Sequence, residues 1–561
     1  MKGFVFKPRL FSTLRNYNRQ TFMADLMAGI IVGIVALPLA IAFGIASGVT
    51  PEKGIITAIV AGFLISAFGG TKIQIGGPTG AFIVIVYGII QEYGMSGLAI
   101  ATFMAGIFLL LLGIFRLGTI IKYIPYPIVV GFTSGIALTI FTTQVKDLFG
   151  LTIEGGIPAD FIAKWGVYLQ NFATIDPWCT AVGILSIIII AVTPKFSKVI
   201  PGSLIAIVVM TAAVFFLKQN GMGASIETIG DRFSISSEIP EAALPAINWE
   251  VIKKLISPAI TIAVLGAIES LLSAAVADGC IGDRHNSNQE LIGQGIANIV
   301  CPIIGGIPAT GAIARTMTNI NNGGKTPIAG IVHAVVLLLI FLFLMPLAQY
   351  IPMSCLAGVL VIVSYNMSGW RTFREMFNNP KSDVSVLLAT FLLTVIFDLT
   401  VAIEVGLVLA CLLCMRRMAE TTQVSVITDE IDPNADTDAD THEEHLAVPE
   451  GVEVYEINGP YFFGIANKFE EMMADLGNDR PKVRIIRMRK VPFIDSTGLH
   501  NLENLISMSK KENIKVILSG VNEKVQSVLI KNHFDTKIGN ANICSNINIA
   551  LERAKVVIAE A

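Results

Sequence analysis

The chain has 561 residues, of which 53% are hydrophobic and only 15% are charged. Soluble globular proteins carry about 25% charged residues, so this composition excludes an ordinary soluble enzyme and indicates a membrane protein. The formal net charge of −3 is too small to indicate a nucleic-acid partner.

The charged residues are unevenly spread along the chain. Residues 420–561 hold 38 of the 83 Asp, Glu, Lys and Arg residues, although they make up only a quarter of the length. The seven cysteines are scattered, so we expect neither a disulfide framework nor a metal site. The sequence therefore predicts a cytoplasmic N-terminal segment (1–23), a transmembrane domain (24–418), an acidic linker (419–448) and a water-soluble C-terminal domain (449–561).

Fourteen apolar segments of the transmembrane domain are long enough, or nearly so, to cross a membrane as helices. They run approximately over 24–46, 54–69, 79–92, 97–115, 124–143, 179–193, 201–217, 256–278, 287–304, 310–321, 326–345, 353–366, 384–398 and 400–418. Lys and Arg concentrate in the N-terminal segment and in connections after even-numbered spans, whereas the connections after spans 3, 9, 11 and 13 hold none. Because positive connections stay in the cytoplasm, we expect both termini on the cytoplasmic side of a bacterial inner membrane.

Two of the short segments, spans 3 and 10, begin with similar glycine- and proline-containing sequences. Residues 76–81 read GGPTGA, and residues 305–312 read GGIPATGA. The two segments lie seven spans apart, which predicts a 7+7 inverted repeat. Matched interrupted helices of this kind are the best sequence indication of a transport site at the middle of the membrane.

A helix that begins in mid-membrane directs free N–H groups and the positive end of its dipole into a cavity. Two such helix ends that face each other would form a site for an anion. The alternative interpretation is that glycine and proline only kink these helices, as they commonly do in membranes.

Two ionisable residues lie deep within the predicted spans. Glu269 in span 8 has no Lys or Arg within ten residues on either side, and Ser273 follows it one turn later on the same helix face. An ionisable residue at such depth is a functional hypothesis by default, and burial favours the neutral form of a carboxyl. We therefore expect Glu269 to carry a coupling proton beside Ser273, with packing as the alternative role. Arg315, five residues into span 10, would attract an anion or pair with a fixed carboxylate.

Several ordered motifs resemble the sulfate permease (SulP) family of anion transporters. They are GGPTGA (76–81), GAIESLL (266–272), GQGIANIVCPIIGGIPATGAIART (293–316) and FIDSTG (493–498). The resemblance implies a uracil-permease-like fold with a core domain of spans 1–4 and 8–11 and a gate domain of spans 5–7 and 12–14. It also implies elevator-like movement of the core against the gate, and a homodimer.

The resemblance also implies which residues form the site. The substrate region would comprise Phe43, Thr79, Gly80, Ala81, Thr310, Gly311, Ala312 and Arg315. Glu269 matches an acid that is Asp in sodium-coupled bicarbonate members, where hydroxyls on spans 8 and 10 support it. Here the acid is Glu and the span-10 position is Ile313, which favours proton over sodium coupling.

The C-terminal region begins with an acidic stretch and continues as an α/β domain. The acidic residues of 432–443 reproduce most EF-hand spacings, but Thr437 replaces the required glycine, so we expect a disordered linker. The following strands and helices resemble a STAS domain, which would be cytoplasmic and could bind a protein partner. Thr497 matches the residue that is phosphorylated in stand-alone STAS proteins; in the alternative interpretation, Asp495 or Ser496 only caps a helix.

These observations predict a secondary active transporter that imports sulfate or a related anion, such as bicarbonate or a C4-dicarboxylate, together with a proton. We see no nucleophile–base pair for an enzyme, and we expect no cofactor; membrane lipid and the anion are the expected small-molecule partners. Two alternatives stay open: an uncoupled or exchange-type anion conductor, and a sodium-coupled bicarbonate symporter.

Overall fold

The computed structural model describes residues 6–119, 125–154, 157–158, 160–196, 201–238, 249–397, 399–427, 430–431, 446–463 and 481–560. The chain divides into two compact units, Met1–Ala410 and Cys411–Ala561. The acidic stretch 432–443, with its EF-hand-like spacing, lies outside the described residues.

The first unit is helical, and every predicted apolar segment overlaps one of its helices. The helices are α1 (Arg19–Ala46), α2 (Pro51–Phe68), α3 (Ile83–Ile114), α4 (Tyr126–Phe149), α5 (Phe161–Gln170), α6 (Pro177–Phe196), α7 (Gly202–Gln219), α8 (Trp249–Ile281), α9 (Ser287–Val300), α10 (Ile313–Asn321), α11 (Ile328–Ala348), α12 (Met353–Ser368), α13 (Trp370–Glu375), α14 (Lys381–Ile396) and α15 (Leu399–Thr421), of which the last extends into the second unit. Within the described part of the chain, nine helical stretches are long and apolar enough to cross a membrane. The helical membrane fold is thus confirmed, while the count of fourteen crossings and the 7+7 repeat stay predictions.

The helices that follow the two interrupted motifs are each only about half as long as a membrane is thick. Helix α3 contains a break at Gly94, whose backbone has φ 67° and ψ −171°, so residues 83–93 form a separate helix about 16 Å long at 1.5 Å per residue. Helix α10 has nine residues and is about 14 Å long. The hydrocarbon core of a bilayer is about 30 Å thick, so each of these helices has an end inside the membrane domain.

The chain reaches these two helices through two short strands, β1 (Gly76–Gly77) and β2 (Thr310–Gly311). The strands pair antiparallel, with Gly76 opposite Gly311 and Gly77 opposite Thr310. Extended backbone inside a membrane domain needs hydrogen-bond partners from the protein, and each strand supplies them for the other. The two interrupted segments therefore cross at one place.

The second unit contains a five-stranded sheet. Its strands are β3 (Gln423–Ile427), β4 (Val452–Asn458), β5 (Val483–Arg487), β6 (Lys515–Ser519) and β7 (Ile543–Cys544), in that spatial order. The β3–β4 pair is antiparallel and the other pairs are parallel. Helices α16 (Ser496–Lys511) and α17 (Glu523–Lys531) contribute to one apolar cluster of the unit, and α18 (Ile547–Glu560) contributes to another. This arrangement confirms the predicted α/β domain.

Candidate substrate site

The crossing of β1 and β2 is held by hydrogen bonds between the β1 segment and helix α10. The backbone N–H of Ala312 donates to the carbonyl of Ile75 over 2.9 Å, and the N–H of Ile75 donates to the hydroxyl of Thr316 over 3.1 Å. The amide of Asn319 donates to the carbonyl of Ile73 over 2.8 Å. The segment that leads into β1 is therefore bonded along the side of α10.

Both strands carry glycine at positions where a side chain from a neighbouring segment approaches the backbone closely. A Cβ atom at Gly77, where φ is +154°, would lie 2.0 Å from Nη1 of Arg315. A Cβ atom at Gly311 would lie 1.4 Å from Nε2 of Gln74. The glycines of the two motifs thus make room for polar side chains that reach into the crossing.

Both interrupted segments are anchored to α8, the helix that carries Glu269. The hydroxyl of Thr79 donates to Oε2 of Glu269 over 2.9 Å. The hydroxyl of Thr310 donates to the carbonyl of Gly266, one turn before Glu269, over 2.7 Å. The Glu269 carboxylate therefore lies directly beside the start of the first broken helix.

Arg315 brings a positive charge to the same place. Its side chain is buried, and Nη2 donates to the carbonyl of Pro78 over 3.2 Å. Its Nη1 has no hydrogen-bond partner among the residues that the structure describes. Nη2 thus bonds to the first interrupted segment, and Nη1 can still donate a hydrogen bond to another group.

These groups line a cavity of about 540 Å³. The predicted site residues on its wall are Phe43, Thr79, Gly80, Ala81, Glu269, Gly311, Ala312 and Arg315. Ile313 and Ala314, in the first turn of α10, also line it. First-turn N–H groups lack acceptors within their own helix, so the cavity meets the positive end of a helix dipole, with the buried charge of Arg315 beside it.

Three of the predicted functional residues are not part of this wall. Thr310 is buried behind the cavity, where it bonds to α8. Ser273 is buried as well, and its hydroxyl donates to the Thr316 hydroxyl over 3.3 Å rather than to Glu269. Thr497 is exposed in the second unit, one residue into a helix whose N-cap is Asp495. The described residues contain no group of His, Cys, Asp and Glu that could hold a metal ion.

A second part of the cavity wall, formed by other helices, was not predicted from sequence. It includes Tyr126 and Thr133 of α4 and Asn366 and Met367 of α12. Both helices belong to the predicted gate spans, whereas the predicted site residues belong to core spans. The sequence offered one signal for these residues, which is that Thr and Asn stand isolated in apolar helices. This signal is weak because many such residues elsewhere in the chain only bond to their own helix.

A network of buried polar residues, centred on Glu290, supports the crossing of β1 and β2. Glu290 of α9 is fully buried and accepts hydrogen bonds from the Gly70 N–H (2.8 Å), the Thr71 hydroxyl (2.7 Å) and the Gln294 amide (2.9 Å). Gln74 in turn donates to the carbonyl of Ser270 on α8 over 3.1 Å. This network, which sequence reasoning missed, fixes residues 70–75 before they enter β1.

Comparison with known proteins agrees with this architecture. The model of the sulfate permease family matches residues 22–390, and the STAS domain model matches residues 445–550. The "Putative sulfate transporter YvdB" of Bacillus subtilis is 41% identical over 541 residues, which cover 95% of this chain and 97% of that protein. The bicarbonate transporter BicA of a Picosynechococcus species is 32% identical over 487 residues, which cover 84% of each chain.

A solved structure shows the same fold at lower sequence identity. The murine anion transporter solute carrier 26 family member A9 superposes with a TM-score of 0.87 over 98% of this chain and 94% of its own, at 18% identity. All three proteins are named as transporters rather than enzymes. The chain is therefore a multi-pass membrane protein that belongs to the sulfate permease family of anion transporters and ends in a STAS domain.

Proposed function

We propose that this protein takes up sulfate or a related anion, together with a proton, across the bacterial inner membrane. The observation that carries the proposal is the meeting of two interrupted helices, Arg315 and Glu269 on one cavity. An anion would bind between the two helix starts, where N–H groups and helix dipoles stabilise negative charge. The free Nη1 of Arg315 would add a charge-assisted hydrogen bond.

Glu269 is the candidate proton carrier. Among the described residues its hydrogen-bond partner is the Thr79 hydroxyl, and no Lys or Arg lies within ion-pair distance of it. Ionisable side chains inside membrane spans typically mark ion pathways. Because Thr79 begins the substrate-binding helix, protonation of Glu269 and occupation of the anion site would affect one another.

The small number of oxygen atoms available around Glu269 favours proton coupling over sodium coupling. Sodium is a hard cation and would need several oxygen ligands, as other hard cations do. Ile313 supplies no side-chain oxygen, and the Ser273 hydroxyl is bonded to Thr316. A proton needs only the carboxyl group and its hydrogen-bonding neighbour.

The two walls of the cavity support an elevator mechanism. One wall belongs to the core spans and the other to the gate spans, so a sliding movement between them would carry the anion across. Tyr126 begins α4 and Asn366 lies in the last turn of α12, at the ends that the distribution of Lys and Arg assigns to the cytoplasm. The described cavity would then be the inward-facing site, within a homodimer whose STAS domains are cytoplasmic.

Transport by the purified protein in proteoliposomes would test this function. Uptake of radiolabelled sulfate, bicarbonate and succinate should be measured at two pH values, with and without sodium. We expect accumulation that follows an imposed proton gradient and is independent of sodium. Accumulation that follows sodium would identify a sodium symporter, and uptake that ignores the proton gradient would identify an uncoupled conductor.

A single substitution separates coupling from binding. Glu269→Gln keeps the size and polarity of the side chain but cannot release a proton, so it should abolish proton-driven accumulation while anion exchange continues. Glu92→Gln, at an exposed position near the end of the first broken helix, is the matched control and should behave like the wild type. Unchanged accumulation by the Glu269→Gln variant would contradict the coupling role.

A further inference from the structure

A second cavity lies within the gate helices, next to the substrate cavity. It is a groove of about 390 Å³ between α4, α12 and α14. Its wall includes the aromatic and aliphatic side chains of Leu138, Phe141, Val361, Tyr365 and Phe391. Tyr365 is 57% exposed, so the groove is open at the surface, and its lining suits a hydrocarbon chain.

The groove leads to a basic surface at the end of α12. Trp370 lines the groove and also a neighbouring cavity of about 580 Å³ that is lined by Arg371 and Arg374. The Trp370 indole N–H donates to the Tyr365 hydroxyl over 3.1 Å. The Arg371 guanidinium lies 5.7 Å from the centre of the Trp370 ring. Trp and Tyr residues are enriched where a membrane meets water, so this pair marks the boundary between the apolar groove and the basic surface.

The charge of the basic surface is not neutralised within the described part of the protein. Arg371 and Arg374 are exposed, and neither forms an ion pair with a described carboxylate. Glu375 is the one acidic residue on the wall of this cavity, which leaves an excess of one positive charge. Arginine recognises phosphate through paired N–H donors.

We propose that the groove and the two arginines form a binding site for one anionic phospholipid. One acyl chain lies in the groove along Phe141 and Phe391, and the phosphate lies on Arg371 and Arg374. A zwitterionic lipid has the same chain but adds a positive group that these arginines disfavour. Charge complementarity therefore selects an anionic lipid over the bulk lipid that contacts any membrane protein.

The position of the site connects it to the substrate cavity. Ser368, at the end of α12, lines both the groove and the substrate cavity. The Ser134 hydroxyl donates to the Ser368 carbonyl over 2.6 Å. A lipid in the groove therefore packs behind one wall of the substrate cavity. The binding of the lipid depends on neither the transported anion nor its coupling ion.

Native mass spectrometry of the full-length protein would test the proposal. The protein is titrated with an equimolar mixture of palmitoyl-oleoyl phosphatidylglycerol and palmitoyl-oleoyl phosphatidylcholine, and the first bound lipid is quantified. We expect at least a fivefold preference for phosphatidylglycerol, and this preference should weaken as salt is raised because exposed charges are screened. Equal binding of the two lipids would overturn the proposal.

Variants locate the site. The Arg371→Gln/Arg374→Gln double variant should lose the preference, whereas Lys381→Gln, which removes a charge at the start of α14, should keep it. Leu138→Trp narrows the groove and should lower the binding of both lipids. Because both arginines are exposed, the double variant should fold normally, as its melting temperature in detergent would check. A preference that survives in the double variant would overturn the assignment even if the Leu138→Trp variant fails to fold.

Discussion

The hydroxyl of Thr79 donates a hydrogen bond of 2.9 Å to the carboxylate of Glu269, across 190 residues of sequence. Thr79 is the N-cap of the turn Gly80–Phe82 that opens the first broken helix, and Glu269 lies in the middle of α8. The bond joins the candidate anion site to the candidate proton carrier without an intervening residue. Any movement of one of these elements therefore disturbs the other.

Replacing Thr79 by valine tests the importance of this bond. Valine has nearly the shape of threonine but no hydroxyl, so Glu269 would lose its donor. A hydrogen bond to a charged group contributes about 1.5–3 kcal/mol, and proton-driven uptake should therefore fall by roughly tenfold or more. Thr79→Ser keeps the hydroxyl and should retain most of the uptake. If both variants transport equally well, the bond has no role in coupling.

The crossing of the two strands should not tolerate a methyl group. Gly77→Ala places a Cβ atom 2.0 Å from Nη1 of Arg315, and such overpacking typically costs about 1–3 kcal/mol. We expect a lower melting temperature and weaker anion binding, measured by scintillation proximity with labelled substrate. Gly88→Ala, in the helix that follows β1, is the control, because no atom lies within 4 Å of its Cβ position. A Gly77→Ala variant that is as stable as the control would contradict the close approach.

Arg315 should contribute to anion affinity through its charge and its fork-like geometry. Arg315→Gln removes the charge and should weaken anion binding by roughly tenfold or more, since charge-assisted hydrogen bonds contribute about 1.5–3 kcal/mol. Arg315→Lys keeps the charge but not the paired donors, so it should give an intermediate affinity. Lys195→Gln, at an exposed helix end, is the control for loss of one positive charge. Wild-type affinity in Arg315→Gln would assign this residue to structure alone.

Ion pairs at Asp283 hold the N-terminal segment, and the stabilisation that they provide depends on pH. Oδ2 of Asp283 lies 2.7 Å from both Arg9 and Lys72. Partial burial acts to raise the pKa of Asp283, but hydrogen bonds from Lys72 and Arg9 outweigh it and hold this pKa well below its usual range. A depressed pKa stabilises the folded state above the ordinary carboxyl pKa of about 4, and this stabilisation is lost only as the pH falls through the depressed value.

Hydrogen exchange should therefore show constant protection of residues 9–13 between about pH 5 and 8. Asp283→Asn should reduce that protection at every pH in this range, because the neutral amide attracts neither cation. Glu375→Gln, at an exposed position in another connection, should leave the segment unchanged. Protection that falls steeply below pH 6 in the wild type would contradict the assigned pKa direction.

Deletion of residues 449–561 should leave the membrane unit folded. The C-terminal unit has apolar clusters of its own, separate from the cluster around Phe43 and Phe82 in the membrane unit, so we expect each unit to fold on its own core. We expect a monodisperse truncated protein with slower transport or weaker assembly, measured by size-exclusion chromatography and uptake. An unaltered transport rate would mean that the STAS domain is not needed for transport.

The broken helices and their ionisable neighbours could be predicted because their sequence signals are local. The GGPTGA and GGIPATGA segments have composition that few continuous helices share, and Glu269 stands in a long uncharged stretch. Such local signals do not show which way a side chain points or which distant residue it contacts. The i, i+4 spacing put Ser273 on the same face as Glu269, but that face is wide enough for Ser273 to bond to Thr316 instead.

Glu290 and the gate wall were missed for different physical reasons. Glu290 lies near the start of a predicted span, where an acidic residue is ordinarily exposed, and only the fold brings Gly70 and Thr71 over it. Tyr126 and Asn366 become site residues through the meeting of α4 and α12 with the core helices. Such contacts join residues that are hundreds of positions apart, which a single sequence does not report.

The pairing of β1 with β2 has a consequence for how the protein is made. Ile75 finds its hydrogen-bond partner Thr316 only 241 residues later in the chain. Backbone N–H and C=O groups that are unsatisfied in lipid cost several kcal/mol each, so the first half must enter the membrane with an unfinished segment. The nascent protein thus passes through a vulnerable stage during synthesis, which ends when the second interrupted helix arrives and both halves close on each other.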